Sequence, residues 1–257
     1  MDRKFEYPSI LQERALSPEA ALWLDQIRNI TSRIGVRGFL KGGLLRDYVS
    51  NIYNGTSLTP KDLDIMLIGG VNLTVSELVK EGATIQLRRN RRKTPVFELI
   101  LPTSKGTIAA DIGIVLGKPN SYERGQKTET FLEDDARLSD FTVNAIFLPL
   151  DKHLEVTNLI DPLGGIKDIQ GRQIRMVSSN TFIRNPECML RAVKMADRLS
   201  AVIEPITFEA IKHYASLIRR APQPVINQNL EAILESPNNQ RNIKLLKELG
   251  LLEPLSL

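Results

Sequence analysis

The sequence predicts an α/β domain, a mixed sheet with flanking helices, over residues 1–150, followed by an all-α domain over residues 151–257. Three observations carry this reading. An amphipathic helix opens the chain, short apolar runs of strand length fill the stretch up to residue 150, and beyond Pro162 the apolar period turns helical. In chain order, Ser17-Pro18 supplies an N-cap and a first-turn proline, and Trp23, Ile27, Ile30 and Ile34 then recur at helical spacing until Gly35. Strand-like runs follow from Val36 to Leu40, Asp62 to Ile68, Val96 to Leu101, Ile108 to Val115 and Val143 to Leu148. In the second domain Thr207 caps a run in which Phe208, Ile211, Ala215 and Ile218 share a face. Ile243, Leu246 and Leu249 repeat that pattern before Gly250. No internal repeat, low-complexity segment or Pro/Gly/Ser-rich linker interrupts the chain.

Composition narrows the function classes. With 42% apolar and 25% charged residues, the chain falls in the ordinary globular range. No stretch approaches the roughly 20 apolar residues that span a bilayer, and MDRKFEYPSI lacks the apolar block of a secretory signal. A cytoplasmic location and no membrane partner are therefore expected. One cysteine, Cys188, and two histidines rule out an internal disulfide and argue against a zinc site. A formal charge of +4 suits a polyanionic partner without requiring one. Arg88, Arg89, Arg91, Arg92 and Lys93 crowd between two apolar runs, which reads as a solvated loop. Such a loop serves either solubility or phosphate contact with a nucleotide or RNA.

Two short motifs carry chemistry. In KDLDIMLI, alternation sends Asp62, Asp64 and Met66 to one face while Leu63, Ile65 and Leu67 enter the core. Strand rise puts the two aspartate Cα atoms about 6.5–7 Å apart, close enough to share one or two hard cations. A solvent-facing strand end would show the same pattern. Gly42-Gly43-Leu44-Leu45-Arg46-Asp47 follows a short apolar strand and opens a helix, about 20 residues before the aspartates. Paired glycines permit close backbone approach, and a helix N-terminus offers unpaired N–H groups to phosphate oxygens. A plain turn is the competing reading.

GGLLRD followed by DLD resembles the G-G-x-V-R-D and D-x-D pair of the nucleotidyltransferase superfamily that contains bacterial-type, class II CCA-adding enzymes and poly(A) polymerases. DARLSDFTVNAI from Asp135 resembles D-x-x-R-R-D-F-T-I-N-A-L, and DPLGGIKD from Asp161 resembles D-P-x-G-G-x-x-D-L. FIRNPECMLRAVKMADRL from Phe182 resembles the neck segment of that family, and SPNNQRNIKLLKELGLL its end. The resemblance runs from about residue 36 to residue 253.

This resemblance implies a nucleotidyltransferase head over 1–150 and a helical neck over 151–257. It implies transfer of a nucleoside monophosphate from an NTP, ATP or CTP, to the 3′ hydroxyl of an RNA such as a tRNA 3′ end. Two Mg²⁺ ions would be held by Asp62 and Asp64, with Asp111 as a third catalytic carboxylate. Gly42 and Gly43 would meet the phosphates, Arg46 and Asp47 would brace that loop, and Asp140 and Asn144 would form the sugar-side wall. Where the family has paired arginines the chain has Leu138 and Ser139, leaving Arg137 nearby. The family's acidic and basic base-reading positions hold Arg184, Asn185 and Cys188 here, so the resemblance does not imply which base, C or A, is selected. Asn185-Pro186 would serve a helix start equally well. Arg191, Lys194 and Arg198 form a basic stripe facing phosphate or water, and Arg191 matches a family arginine. No counterpart of the family's body and tail follows Leu257, so head and neck alone, a protein partner or a second copy would hold the RNA. A different acceptor, either a small molecule, a protein or another RNA, is the second reading; a non-catalytic RNA-binding subunit is the third.

Overall fold

The computed structural model describes residues 18–60, 63–89, 95–103, 106–114 and 128–255, and the chain forms two compact units. The first comprises residues 1–135 and 146–160, the second 136–145 and 161–257. Lys61 and Asp62 lie outside the described residues, as do Ser17, Arg91, Arg92 and Lys93.

The first unit is a six-stranded mixed sheet with helices. Helix α1 (Pro18–Arg33) leads into β1 (Arg37–Lys41), α2 (Gly43–Asn54), β2 (Leu63–Ile68) and α3 (Val71–Lys80). Strands β3 (Thr84–Arg89), β4 (Pro95–Thr103) and β5 (Gly106–Ile114) follow, then α4 (Thr128–Ala136) and β6 (Phe147–Pro149). Strand order is β3-β4-β5-β2-β1-β6; β2 and β5 run parallel, and the other neighbouring pairs are antiparallel. Leu63, Ile65 and Leu67 are buried, as the alternation of β2 predicts, together with Leu40 on β1, Leu99 on β4 and Ile112 on β5. Trp23 pins α1 to β4 by donating its indole N–H to the Pro102 carbonyl at 2.8 Å.

The second unit is helical. Helices α5 (Gly165–Gln170), α6 (Asn180–Arg184), α7 (Cys188–Arg198), α8 (Pro205–Tyr214), α9 (Gln223–Leu234), α10 (Asn239–Glu248) and α11 (Leu252–Leu255) are joined by short connections. A two-stranded parallel pair, β7 (Gln173–Ile174) and β8 (Val202–Ile203), flanks α7 in sequence. Phe141, Phe182, Met189, Val193, Ile211, Ile233 and Leu249 form its buried interior. Among the described residues no helix is long and apolar enough to cross a membrane.

Four local expectations are corrected. The run Val143 to Leu148 is only partly strand: Thr142–Asn144 winds into a 3-10 turn before β6 begins at Phe147. The cause is Asp140, whose carboxylate accepts from both the Phe141 N–H and the Asn144 side chain at 2.8 Å and draws the segment back on itself. Arg88 and Arg89 belong to β3 rather than to a loop, paired with Val96 and Pro95, because extended pairing with β4 outweighs the polarity of that end. Glu204, not Thr207, is the N-cap of α8; its carboxylate accepts from the Thr207 N–H at 2.8 Å. Pro205 sets φ for the first helical position and starts the helix three residues earlier than expected. On α10, Ile243 is 40% exposed while Asn242 is 1% exposed, so the buried face is rotated from the expected one.

The Asp161-Pro-Leu-Gly-Gly turn is tightly determined. Asp161 accepts from the Gly165 and Ile166 N–H groups at 2.8 and 2.9 Å, capping α5. A Cβ on Gly165 would lie 2.2 Å from the Thr142 carbonyl oxygen, so only glycine lets α5 approach that turn. Gly165→Ala is expected to lower the unfolding free energy by about 3 kcal/mol, read by urea titration with circular dichroism. A change under about 0.5 kcal/mol would refute that packing argument.

Candidate active site

Strand register sets the centre of the first unit. Asp64 on β2 is paired with Lys41 on β1 and with Asp111 on β5; Asp111 is paired with Glu98 on β4, and Glu98 with Gln86 on β3. Lys41 is also paired with Phe147 on β6. Residues paired across neighbouring strands share a face, so every strand of the sheet contributes one side chain to a single transverse row. With strands about 4.8 Å apart, Asp64 and Asp111 stand side by side as like charges.

The glycine turn abuts this row. Gly42 has φ 79° and ψ −133°, a conformation reserved for glycine, and a Cβ there would lie 2.7 Å from Asp64 Oδ2. Gly42 is also the N-cap of α2 and carries no side chain to cap it. The start of the helix, where the unpaired amides are partly positive, therefore lies beside the carboxylate. Arg46 folds beneath the turn, its Nη2 3.6 Å from where a Cβ on Gly43 would stand. Its Nε and Nη2 both donate to Asp47 Oδ1, at 2.9 and 2.7 Å, and both side chains are largely buried.

The donor chemistry suits a hard divalent cation, since the row offers carboxylate oxygens and no sulfur or imidazole. Among the described residues no three acidic, histidine or cysteine side chains converge tightly enough to enclose an ion. That is compatible with Mg²⁺, which commonly takes one or two carboxylates and completes its shell with phosphate and water.

A separate group lies within the second unit. Asp140 accepts from Arg191 Nη1 at 2.6 Å as well as from Asn144 and the Phe141 N–H. Burial pushes the Asp140 carboxyl upward, but the Arg191 guanidinium and these hydrogen bonds outweigh it and hold the group below its ordinary value of 3.8. A carboxyl depressed in the folded state contributes stability above its unfolded pKa and loses it as pH falls through the folded value. The stability difference between the protein and Asp140→Asn is thus expected to be full above pH 4 and to shrink below it, in urea titrations from pH 6 to pH 3. A pH-independent difference would contradict this.

Arg191 keeps 40% of its side chain exposed, so part of the guanidinium remains accessible beyond Asp140. Arg137 and Arg184 are exposed. Asn185 closes α6, donating its N–H to the Thr181 carbonyl, and its own carbonyl accepts from the Cys188 N–H, so its backbone joins α6 to α7. Cys188 is 2% exposed. The sequence reading missed Lys41 and Glu98, charged residues within the otherwise apolar runs GFLK and VFELI; only strand register reveals that they join Asp64 and Asp111.

The chain belongs to the Poly A polymerase head domain family, which matches residues 38–175, and residues 202–256 match "Probable RNA and SrmB- binding site of polymerase A". It is 40% identical over 127 residues to the A-adding tRNA nucleotidyltransferase of Deinococcus radiodurans, covering 48% of this chain and 28% of that protein. Poly(A) polymerase I of Escherichia coli O157:H7 is 30% identical over 238 residues, covering 87% of this chain and 47% of that protein. Thermotoga maritima CCA-adding enzyme, complexed with tRNA, superposes with a TM-score of 0.74 at 23% identity, over 96% of this chain and 55% of that one. The chain thus spans about half the length of these relatives or less.

Proposed function

We propose that this chain transfers a nucleoside monophosphate from an NTP to the 3′ hydroxyl of an RNA, with a tRNA end as the first acceptor to examine. The observation that carries the reading is the 2.7 Å separation between Asp64 Oδ2 and a would-be Cβ on Gly42, which sets a carboxylate against an uncapped helix start. The attacking hydroxyl oxygen bonds to the α-phosphorus as its proton passes to water, the bond from that phosphorus to the bridging oxygen breaks, and pyrophosphate leaves. Asp62 and Asp64, with Asp111 in register beside Asp64, would hold Mg²⁺. When bound, Mg²⁺ would lower the pKa of the hydroxyl and neutralise charge on the triphosphate.

The remaining work belongs to positioning. Gly42 and Gly43 present backbone to the phosphates, and the Arg46–Asp47 pair stiffens the turn from below. Within the second unit, Arg191, aligned by Asp140 and Asn144, has an accessible side whose chemistry suits a phosphate or sugar oxygen, as does the exposed Arg137. Cys188 is too buried to meet a base, so any base selection from this segment falls to Arg184 and Asn185. The relatives' names and the match over residues 202–256 support RNA as the acceptor class, and solved neighbours bound to CTP and ATP support an NTP donor.

The test is incubation with labelled NTPs and Mg²⁺, with a tRNA lacking its terminus or a generic RNA. RNA extension is expected. NTP consumption without extension would shift the acceptor to another molecule, and absence of turnover would favour a non-catalytic RNA-binding subunit.

A further inference from the structure

We propose that Lys41 and Asp135 form a positioning pair that sets the electrostatic potential of the acidic row and so the affinity of that row for a divalent cation. The inference rests on the reading of Asp64 and Asp111 given above. Lys41 is the last residue of β1, directly opposite Asp64 in the ladder and immediately before Gly42. Its ammonium is ion-paired with the carboxylate of Asp135 on α4 and sits 5.4 Å from the centre of the Phe147 ring. The Lys41 side chain is 19% exposed and that of Asp135 6%.

A pair this buried does little for stability, because removing two charges from water offsets most of their attraction. Its effect on neighbouring charges is larger, because the surroundings screen poorly. With both members present the pair is neutral, and the carboxylates of the row determine how strongly the site attracts a cation. Removing Lys41 alone leaves an extra negative charge beside the row, and removing Asp135 alone leaves an extra positive one. The two neutralisations therefore act on cation binding in opposite directions. A purely structural pair would weaken the site in the same direction from either side.

The test measures Mn²⁺ binding to the nucleotide-free full chain by electron paramagnetic resonance, with melting temperature confirming that each variant is folded. Lys41→Met is expected to tighten binding about three- to tenfold, and Asp135→Asn to weaken it by a similar factor. The double variant should return to within about twofold of the parent, and Lys41→Arg, which keeps the charge, should leave affinity unchanged. Shifts of the same sign in both single variants, or no shift in either, overturn the proposal. Should Lys41→Met fail to fold, Asp135→Asn against Lys41→Arg decides it: weakening confined to Asp135→Asn supports the pair, and any other pattern refutes it. If the parent shows no Mn²⁺ binding that Asp64→Asn abolishes, the reading of the site fails and this inference with it. If that binding is present while the opposite shifts are not, only the role of the pair is lost.

Discussion

Gly42→Ala is expected to reduce nucleotide transfer by about 100-fold or more while leaving the chain folded. Two independent effects act on this one atom. The backbone at Gly42, φ 79° with ψ −133°, costs an L-residue about 1–3 kcal/mol of strain. The added Cβ would also stand 2.7 Å from Asp64 Oδ2, so either the carboxylate rotates away or the turn lifts off it. Each response displaces a group that must be held to within a fraction of an ångström for transfer, and displacements near 1 Å cost on the order of a hundredfold. Gly43→Ala is the internal comparison. Its Cβ would meet only the far end of Arg46, at 3.6 Å, an ordinary contact, so its effect should be several-fold smaller. Steady-state transfer rates with melting curves for both variants check this, and Gly42→Ala activity within about threefold of the parent would contradict it.

Replacing Asp62 and Asp64 together by alanine is expected to reduce transfer by a factor of about 1,000 or more. Asp111 remains in register beside the altered position, but one carboxylate cannot orient a cation against a triphosphate as a converging set can. The same substitution should not destabilise the fold. Asp64 and Asp111 are like charges on adjacent strands, and relieving their repulsion is worth a few tenths of a kcal/mol or more. Lost activity with an equal or higher melting temperature separates loss of a functional group from loss of structure. Undiminished activity in the double variant would refute the metal assignment.

Both predictions rest on features that differ in how readily the chain displays them. The alternation in KDLDIMLI places Leu63, Ile65 and Leu67 in the core from local pattern alone, because the side-chain period of a strand is fixed at two. The glycine pair was legible for the same reason: a turn between an apolar strand and a helix has few solutions. What the pattern does not contain is which strands are neighbours. Lys41 and Glu98 join the acidic row only because β1, β2, β5 and β4 pair in one particular register, a non-local property. Tertiary pairing also overrode local polarity at Arg88 and Arg89, which lie in β3. In the second unit, Asp140 turned an apparently strand-like run into a 3-10 turn through two hydrogen bonds that apolar periodicity cannot register. The carboxylate's third bond, to Arg191, joins positions 51 residues apart in sequence.

The most direct measurement is a crystal structure of the chain with Mn²⁺ and a non-hydrolysable ATP analogue, using the anomalous signal of manganese to locate the ions. Manganese is expected at about 2.0–2.2 Å from carboxylate oxygens of Asp62 and Asp64, with the triphosphate against the backbone of Gly42 and Gly43. Manganese bound elsewhere, or a triphosphate that does not touch this turn, would contradict this.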